Sequence, residues 1–589
     1  MPPSGTHLPL AWLFPVTVAT LTFVAFLPVL AAGFVNYDDD RLVLHNPYLR
    51  LPWMSSLEWM WSTTYMGHYQ PLSWMSLAVD HAVAGTSPLA YHLDSLLWHT
   101  AGAVLLYFLL VELLTRVSAT ASASGALVRA SAALGALFWS IHPLRVESVA
   151  WIAERRDPIS LVFWLLALFA YIRSVDVGRI QLRSLTWYLV SCVSLVLSLL
   201  AKAWGMTFFV TLVALDWYPL DRIPLSRTAL TDPRYRPVWL QKMPFALLGL
   251  GAGALAWAAQ HAAPDTMLST AQWSIHARML QAAYGLCFYP LKTLWPSGLA
   301  ALYELPPTLA AVPASYIVCA CVVAAAAVVT VWFARRIAPV TVALIAYAAT
   351  VAPVLGFAQS GPQLVADRYS YLSCLAFSAL LAGGLLALRS PLVIRAARLA
   401  LGAFLVAAAV LTWRQATTWQ DSVGLWAHAL DSGHPGYVAH LNYGQALRAA
   451  GRTDEAIAHY RQALAIRPTS GNAWYNLANA LKAQGQDDDA VRAYEAAIQY
   501  LPRKVEAQVN LGNLYFSRHQ LAQAIEEYRR ATAALDRGAP SEFSPEPYLY
   551  LGMALADSGD RDGARRALEV ALRYPATRVR AEQEWRRLR

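Results

Sequence analysis

The sequence predicts an all-α protein in two parts: a polytopic membrane domain of about eleven spans with one further interfacial helix, then a solenoid of paired helices. Three observations predict it. The 589 residues are 57% hydrophobic and only 14% charged, far from a soluble mixture. Composition breaks near Trp413, after which charged, alanine-rich sequence runs to Arg589. Beyond Gly436 the chain becomes self-similar at a period of 34 residues. The expected division is therefore a membrane domain at 1–413, a linker at 414–435 and about four repeats at 436–589.

Apolar segments able, or nearly able, to cross a bilayer lie near residues 8–32, 93–114, 126–141, 158–172, 184–201, 203–219, 243–259, 315–334, 338–357, 369–388 and 395–413. The first lacks an N-terminal Lys or Arg and exceeds a signal-peptide core, so it reads as a retained span. With the N-terminus inside, the cytoplasmic loops hold 15 Lys and Arg against nine in the opposite loops, which follows the positive-inside rule. Trp273 to Pro296 is apolar, but it carries Arg278, Lys292 and two prolines. Counting it as a span would reverse the loop holding Arg335 and Arg336, so it reads as interfacial or re-entrant. Eleven crossings then put the repeats in the same compartment as the first outer loop.

Charge does not point to nucleic acid. Up to Trp413 there are 24 Lys and Arg against 17 Asp and Glu, and afterwards 22 against 20, so the excess sits where membrane topology demands it. The five cysteines lie in apolar stretches without metal-ligand spacing.

In the repeats, Gly444, Ala456, Tyr460, Ala463 and Pro468 recur as Ala478, Ala490, Tyr494, Ala497 and Pro502. The register continues as Gly512, Ala524, Tyr528 and Ala531 and, after an insertion at 537–545, as Gly552, Ala564, Leu568 and Ala571. Small residues let paired helices approach and proline ends the second helix, which is the tetratricopeptide (TPR) pattern. Such an array offers a concave groove for peptide or protein; a purely stabilising or oligomerising module is the plainer reading.

The chemistry gathers in the outer loops. FVNYDDDRLVLH places Asp38, Asp39 and Asp40 directly after the first span, with Arg41 and His45 nearby. Three adjacent anions repel, so at least one should be paired or have a raised pKa, as a general base near neutrality requires. A helix cap or a solvated loop is the bland alternative. The loop HPLRVESVAWIAERRDP brings His142, Arg145, Glu147, Glu154, Arg155, Arg156 and Asp157 to one membrane surface. Unpaired charge is costly there, and arginines suit a phosphate. Asp367 and Arg368 stand at the mouth of the tenth span, and Lys202 lies between the fifth and sixth; for Lys202 a snorkelling span-end lysine is the preferred reading.

On FVNYDDD, YQPLSWMSLAVDH with YHLDSLLWH, HPLRVESVAWIAERRD, ADRYSYL and the order of membrane domain then TPR array, the chain resembles the transmembrane and TPR-repeat-containing protein O-mannosyltransferases and their bacterial relatives. These belong to the GT-C class of polyprenol-dependent glycosyltransferases. The family pattern commonly has a second His where Arg145 stands and Arg where Gln70 stands. The resemblance implies a GT-C-like membrane domain and inverting transfer of a sugar, mannose in the family, from a polyprenyl phosphate to a hydroxyl of a protein or other acceptor. It implies a base or acceptor-orienting role for one of Asp38, Asp39 or Asp40. Arg155, Arg156 and Arg368 are the candidates for the donor phosphate, and His142, Glu147, Asp157 and Asp367 for the rest of the outer-face site. A divalent cation on the Asp cluster is compatible but not required. The expected setting is a bacterial inner membrane with the repeats periplasmic; no Asn-x-Ser/Thr site occurs. A non-catalytic membrane-anchored TPR scaffold and a lipid-linked glycan ligase or polymerase are the rival readings.

Overall fold

The computed structural model describes residues 12–118, 124–175, 182–262, 267–269, 272–306, 312–539, 541 and 545–588. Residues 8–11 of the first expected span and part of the insertion before the fourth repeat lie outside them. The chain divides into two compact units, Met1–His434 and Pro435–Arg589.

Among the described residues of the first unit, six helices are long and apolar enough to cross a membrane: Pro88–Val117, Ile152–Val175, Leu182–Ala201, Met243–Ala262, Ala314–Phe333 and Pro391–Thr417. Two bent pairs raise this to eight, namely Gly125–Ser140 with Pro143–Ala150 and Asp367–Ser373 with Leu375–Ala387. Leu13–Ala25, Ala203–Trp217 and Ala338–Val354 are apolar but shorter. Each of the eleven expected segments coincides with one of these. The short ones fall below the ~20 residues a straight crossing needs. Residues 275–294 of the expected interfacial segment form one helix, Ile275–Leu294, with Pro290 inside it. Its Arg278 donates to the carbonyls of Trp273, Leu268 and Phe357.

The first bend has a local cause. Pro143 has no N–H to continue the first helix, and the His142 imidazole accepts from Leu144 N instead. Carbonyls freed near the break are taken up by side chains: Thr412 Oγ1 donates to Ile141 O and His99 pairs with Ser140 O. Trp139 Nε1 donates to Tyr371 O and so ties the two bends together. Consequently Glu147, just past one bend, meets Arg368, just before the other.

Among the described residues only five form strand, Tyr303–Glu304 against Gln363–Val365. Most of the segment expected as a linker is helical and belongs to the first unit. Pro391–Thr417 runs through its start, and Asp421 caps Ser422–Asp431, whose Leu425, Trp426 and Ala429 are buried. The apolar spacing of Leu425, Trp426 and Ala429 is the signal that would have shown it.

Helix Met243–Ala262 approaches 203–207 closely at Gly249, where an added Cβ would collide with Met206 O. Alanine raises helix propensity by about 1 kcal/mol, but forcing two backbones apart costs about 1–3 kcal/mol. Gly249→Ala should therefore lower the thermal unfolding temperature in detergent, despite the better helix former.

The second unit stacks paired helices whose first members begin at Tyr437, Gly471 and Val505 and whose second members begin at Thr453, Asp487 and Leu521. A fourth pair is Glu546–Asp557 with Arg561–Leu572, and Pro575–Arg587 follows it. The repeating Ala and Tyr positions are buried between the helices, and Gly444 and Gly512 lie against the rings of Tyr460 and Tyr528.

Candidate active site

The three aspartates separate in space. Asp38 adopts φ 73°, a left-handed conformation that Asp tolerates better than most residues, and its carbonyl accepts from Arg41 N and Leu42 N. This turn points successive side chains in different directions. Asp39 goes inward, with Oδ2 accepting from Val35 N at 3.1 Å and Oδ1 from Ala153 N at 3.0 Å. Burial pushes its carboxyl well above the usual range against those two bonds. It pins the first loop to the second. Asp38 stays half-buried; burial raises its pKa, while Arg156 and then Arg41 oppose the shift. Asp40 opens the turn Asp40–Leu44. The three do not converge, and among the described residues no three His, Cys, Asp or Glu side chains gather as a metal site. The three aspartates of the run are thus a divided set.

Glu154, with no exposed side-chain surface, is the centre of the charged network. It accepts from Arg156 through both oxygens, at 3.0 and 2.5 Å, from Lys202 at 2.8 Å, and pairs with Arg368 at 3.3 Å. Lys202 also reaches Asp157 at 2.5 Å, and Asp157 accepts from Ser148. Arg368 pairs with Glu147, which also accepts from Arg368 N at 2.7 Å. Three cations and three carboxylates thus interlock. Arg156 and Lys202 keep 15% and 16% of their side-chain surface open, against 7% for Arg368. Arg156 and Lys202 are therefore the more open of the three cations. Gln70 accepts from Arg156 Nη1 at 3.1 Å, which places it in the site despite its departure from the family pattern.

Three expected site residues do other work. Arg155 is 1% exposed and is spent on Asp80, Asp94, Ser76, Ser95 and Tyr91 O. Its donors are committed, so it does not present a guanidinium to a phosphate. His142 accepts from Leu144 N and donates to Thr293 O, fixing the first bend rather than facing a cavity. Asp367 is buried against the Tyr303 hydroxyl at 2.8 Å.

The aromatic wall beside Asp38 is built from the same loops. Tyr37 stacks on Trp151 at 4.2 Å, and Trp151 Nε1 donates to Tyr37 O. An open apolar groove of about 580 Å³ is lined by Tyr69, Leu199, Ala203, Leu247 and Leu255 among others. Two of the groove's residues are chain neighbours of the network: Tyr69 precedes Gln70 and Ala203 follows Lys202. Sequence reasoning named Lys202 but read it as a snorkelling span-end lysine, and it missed His68. A lysine between two apolar runs was the available signal for the first; His68 gave none.

Among known proteins, the TPR repeat model matches residues 444–485 and 478–518. The chain is 28% identical over 217 residues to mouse protein O-mannosyl-transferase TMTC2, covering 36% of this chain and 24% of that protein. It is 34% identical over 163 residues to Drosophila melanogaster protein O-mannosyl-transferase Tmtc1, covering 26% and 18%. The match thus spans about a quarter or less of these relatives' length. Among solved structures, the MamA protein is 22% identical over 26% of this chain and 80% of that one, with a TM-score of 0.24. A TPR protein with an unusual peptide-binding site, YrrB, is 19% identical over 27% and 79%, with a TM-score of 0.25.

Proposed function

We propose that the membrane unit is an inverting glycosyltransferase that moves a sugar, mannose by the resemblance, from a polyprenyl phosphate to an acceptor hydroxyl on the outer face. The observation that carries this reading is the half-buried Asp38 carboxylate beside Arg156, with a cation network whose chain neighbours Tyr69 and Ala203 line an apolar groove. A lipid-linked phosphate needs both features side by side: apolar walls for the isoprenoid and cations for the leaving group. The acceptor oxygen attacks the anomeric carbon opposite the phosphate, its proton passes to Asp38, and the carbon–oxygen bond to phosphate breaks. Arg156 and Lys202 take up the phosphate charge, while Glu154 keeps both in place. Arg368 shares Glu154 with them and is itself held by Glu147. The TPR groove holds a peptide or protein acceptor, in the compartment that eleven crossings would give it.

Full-length protein in membranes, offered mannose on polyprenyl phosphate or on a nucleotide, should use only the lipid-linked form. Preference for the nucleotide sugar would refute the donor assignment. Arg156→Gln and Lys202→Gln should each weaken lipid-phosphate binding by about 10- to 100-fold, the range for a hydrogen bond to a charged group. Binding isotherms with farnesyl phosphate measure this.

A further inference from the structure

His68 directly precedes Tyr69, which lines the groove, and lies near the charged network. Two left-handed residues, Met66 and Gly67, turn the chain before it, and Tyr69 and Gln70 follow it into the groove and the network. Its ring lies in the field of Arg156, Glu154, Lys202 and Arg368. Across from it is Gln260, near the end of the helix whose Leu255 and Ala256 line the groove.

Gln260 fixes the imidazole tautomer. Its Nε2 donates to Gly67 O at 2.8 Å, and a carbonyl can only accept, so the amide cannot be turned round. Ser360 Oγ holds the other end of the amide, donating to Oε1 at 2.6 Å. The same Nε2 lies 3.3 Å from His68 Nδ1, which must therefore accept. The ring proton is left on the opposite nitrogen, directed away from Gln260.

We propose that His68 is a neutral hydrogen-bond donor, through Nε2–H, to a phosphate oxygen of the bound lipid, with Gln260 as its positioning residue. This rests on the reading of the site as one for a lipid-linked phosphate. Burial first, and then Arg156, push the His68 pKa down to about 3, so the ring stays neutral throughout the physiological range. A neutral donor adds to the two cations without adding charge to a site whose carboxylates already balance them.

The test uses the full-length chain in detergent with farnesyl phosphate as the probe, alongside sugar transfer and thermal unfolding. His68→Phe should weaken binding about 10- to 100-fold. His68→Gln, whose amide can stand where Nε2–H was, should restore it to within a few-fold. Gln260→Glu sets a carboxylate against Nδ1 and draws a proton there, so binding should become pH-dependent near neutrality, unlike the wild type. The proposal is overturned if His68→Phe binds normally, if folded His68→Gln binds as weakly as His68→Phe, or if Gln260→Glu keeps the wild-type pH profile. Probe binding with these dependences but no sugar transfer would uphold His68 and refute the transferase reading. Transfer by the wild type that is unchanged in His68→Phe would refute His68 alone.

Discussion

Asp38→Asn should lower the rate of transfer by about 10²- to 10⁴-fold while leaving lipid-phosphate binding within a few-fold of wild type, the range a positioned general base supplies. Asparagine is the informative replacement because it too tolerates φ 73° and keeps the turn that Asp38 O closes with Arg41 and Leu42. Alanine would add left-handed strain of about 1–2 kcal/mol and confuse the two effects. The pH profile gives a second readout. A base must be unprotonated, and burial raises the Asp38 pKa, so wild-type activity should rise with pH through an ionisation above the ordinary carboxylate value. That limb should vanish in Asp38→Asn. Asp39→Asn should behave differently: it loses acceptance from Val35 N or Ala153 N and should lower stability as well as activity.

Arg155→Met should produce the largest loss of stability among the basic residues of the second loop. It strips the buried partner from Asp80, which is 13% exposed, and from Asp94, which is 30% exposed. Breaking a buried pair by removing one member costs about 3–5 kcal/mol, and the partial exposure of Asp94 favours the lower end. Burial already raises the Asp80 pKa against the opposing pull of Arg155, so without the guanidinium this carboxyl is left with its burial cost. Asp80→Asn in the same chain should recover part of the loss, and a double-mutant cycle of unfolding temperatures measures the coupling. If Arg155 instead bound phosphate, the single variant would lose probe affinity at unchanged stability.

The fold was legible wherever one stretch of chain carries its own signal. Apolar runs located the helices, and the 34-residue register located the repeats, because both are local or periodic. The bends were less visible, although Pro143 marked one of them. Failures in the site have a common physical origin. Arg155 and Arg156 are neighbours in sequence and looked equivalent, but adjacent residues at a helix start point about 100° apart. One therefore meets Asp80 and the other Glu154. The Asp run misled in the same way, since the turn at Asp38 sends Asp39 inward. Lys202 is 48 residues from Glu154, and Gln260 is 192 from His68, so neither pairing leaves a local trace.

The most direct measurement is transfer by the purified full-length chain in bilayers holding labelled polyprenyl-phosphate mannose, with a Ser/Thr-rich peptide as acceptor and Asp38→Asn as control. The account predicts labelled peptide and free polyprenyl phosphate in equal amounts, with neither formed above background by the variant. No release of polyprenyl phosphate with any hydroxyl acceptor, or equal release by Asp38→Asn, would contradict it.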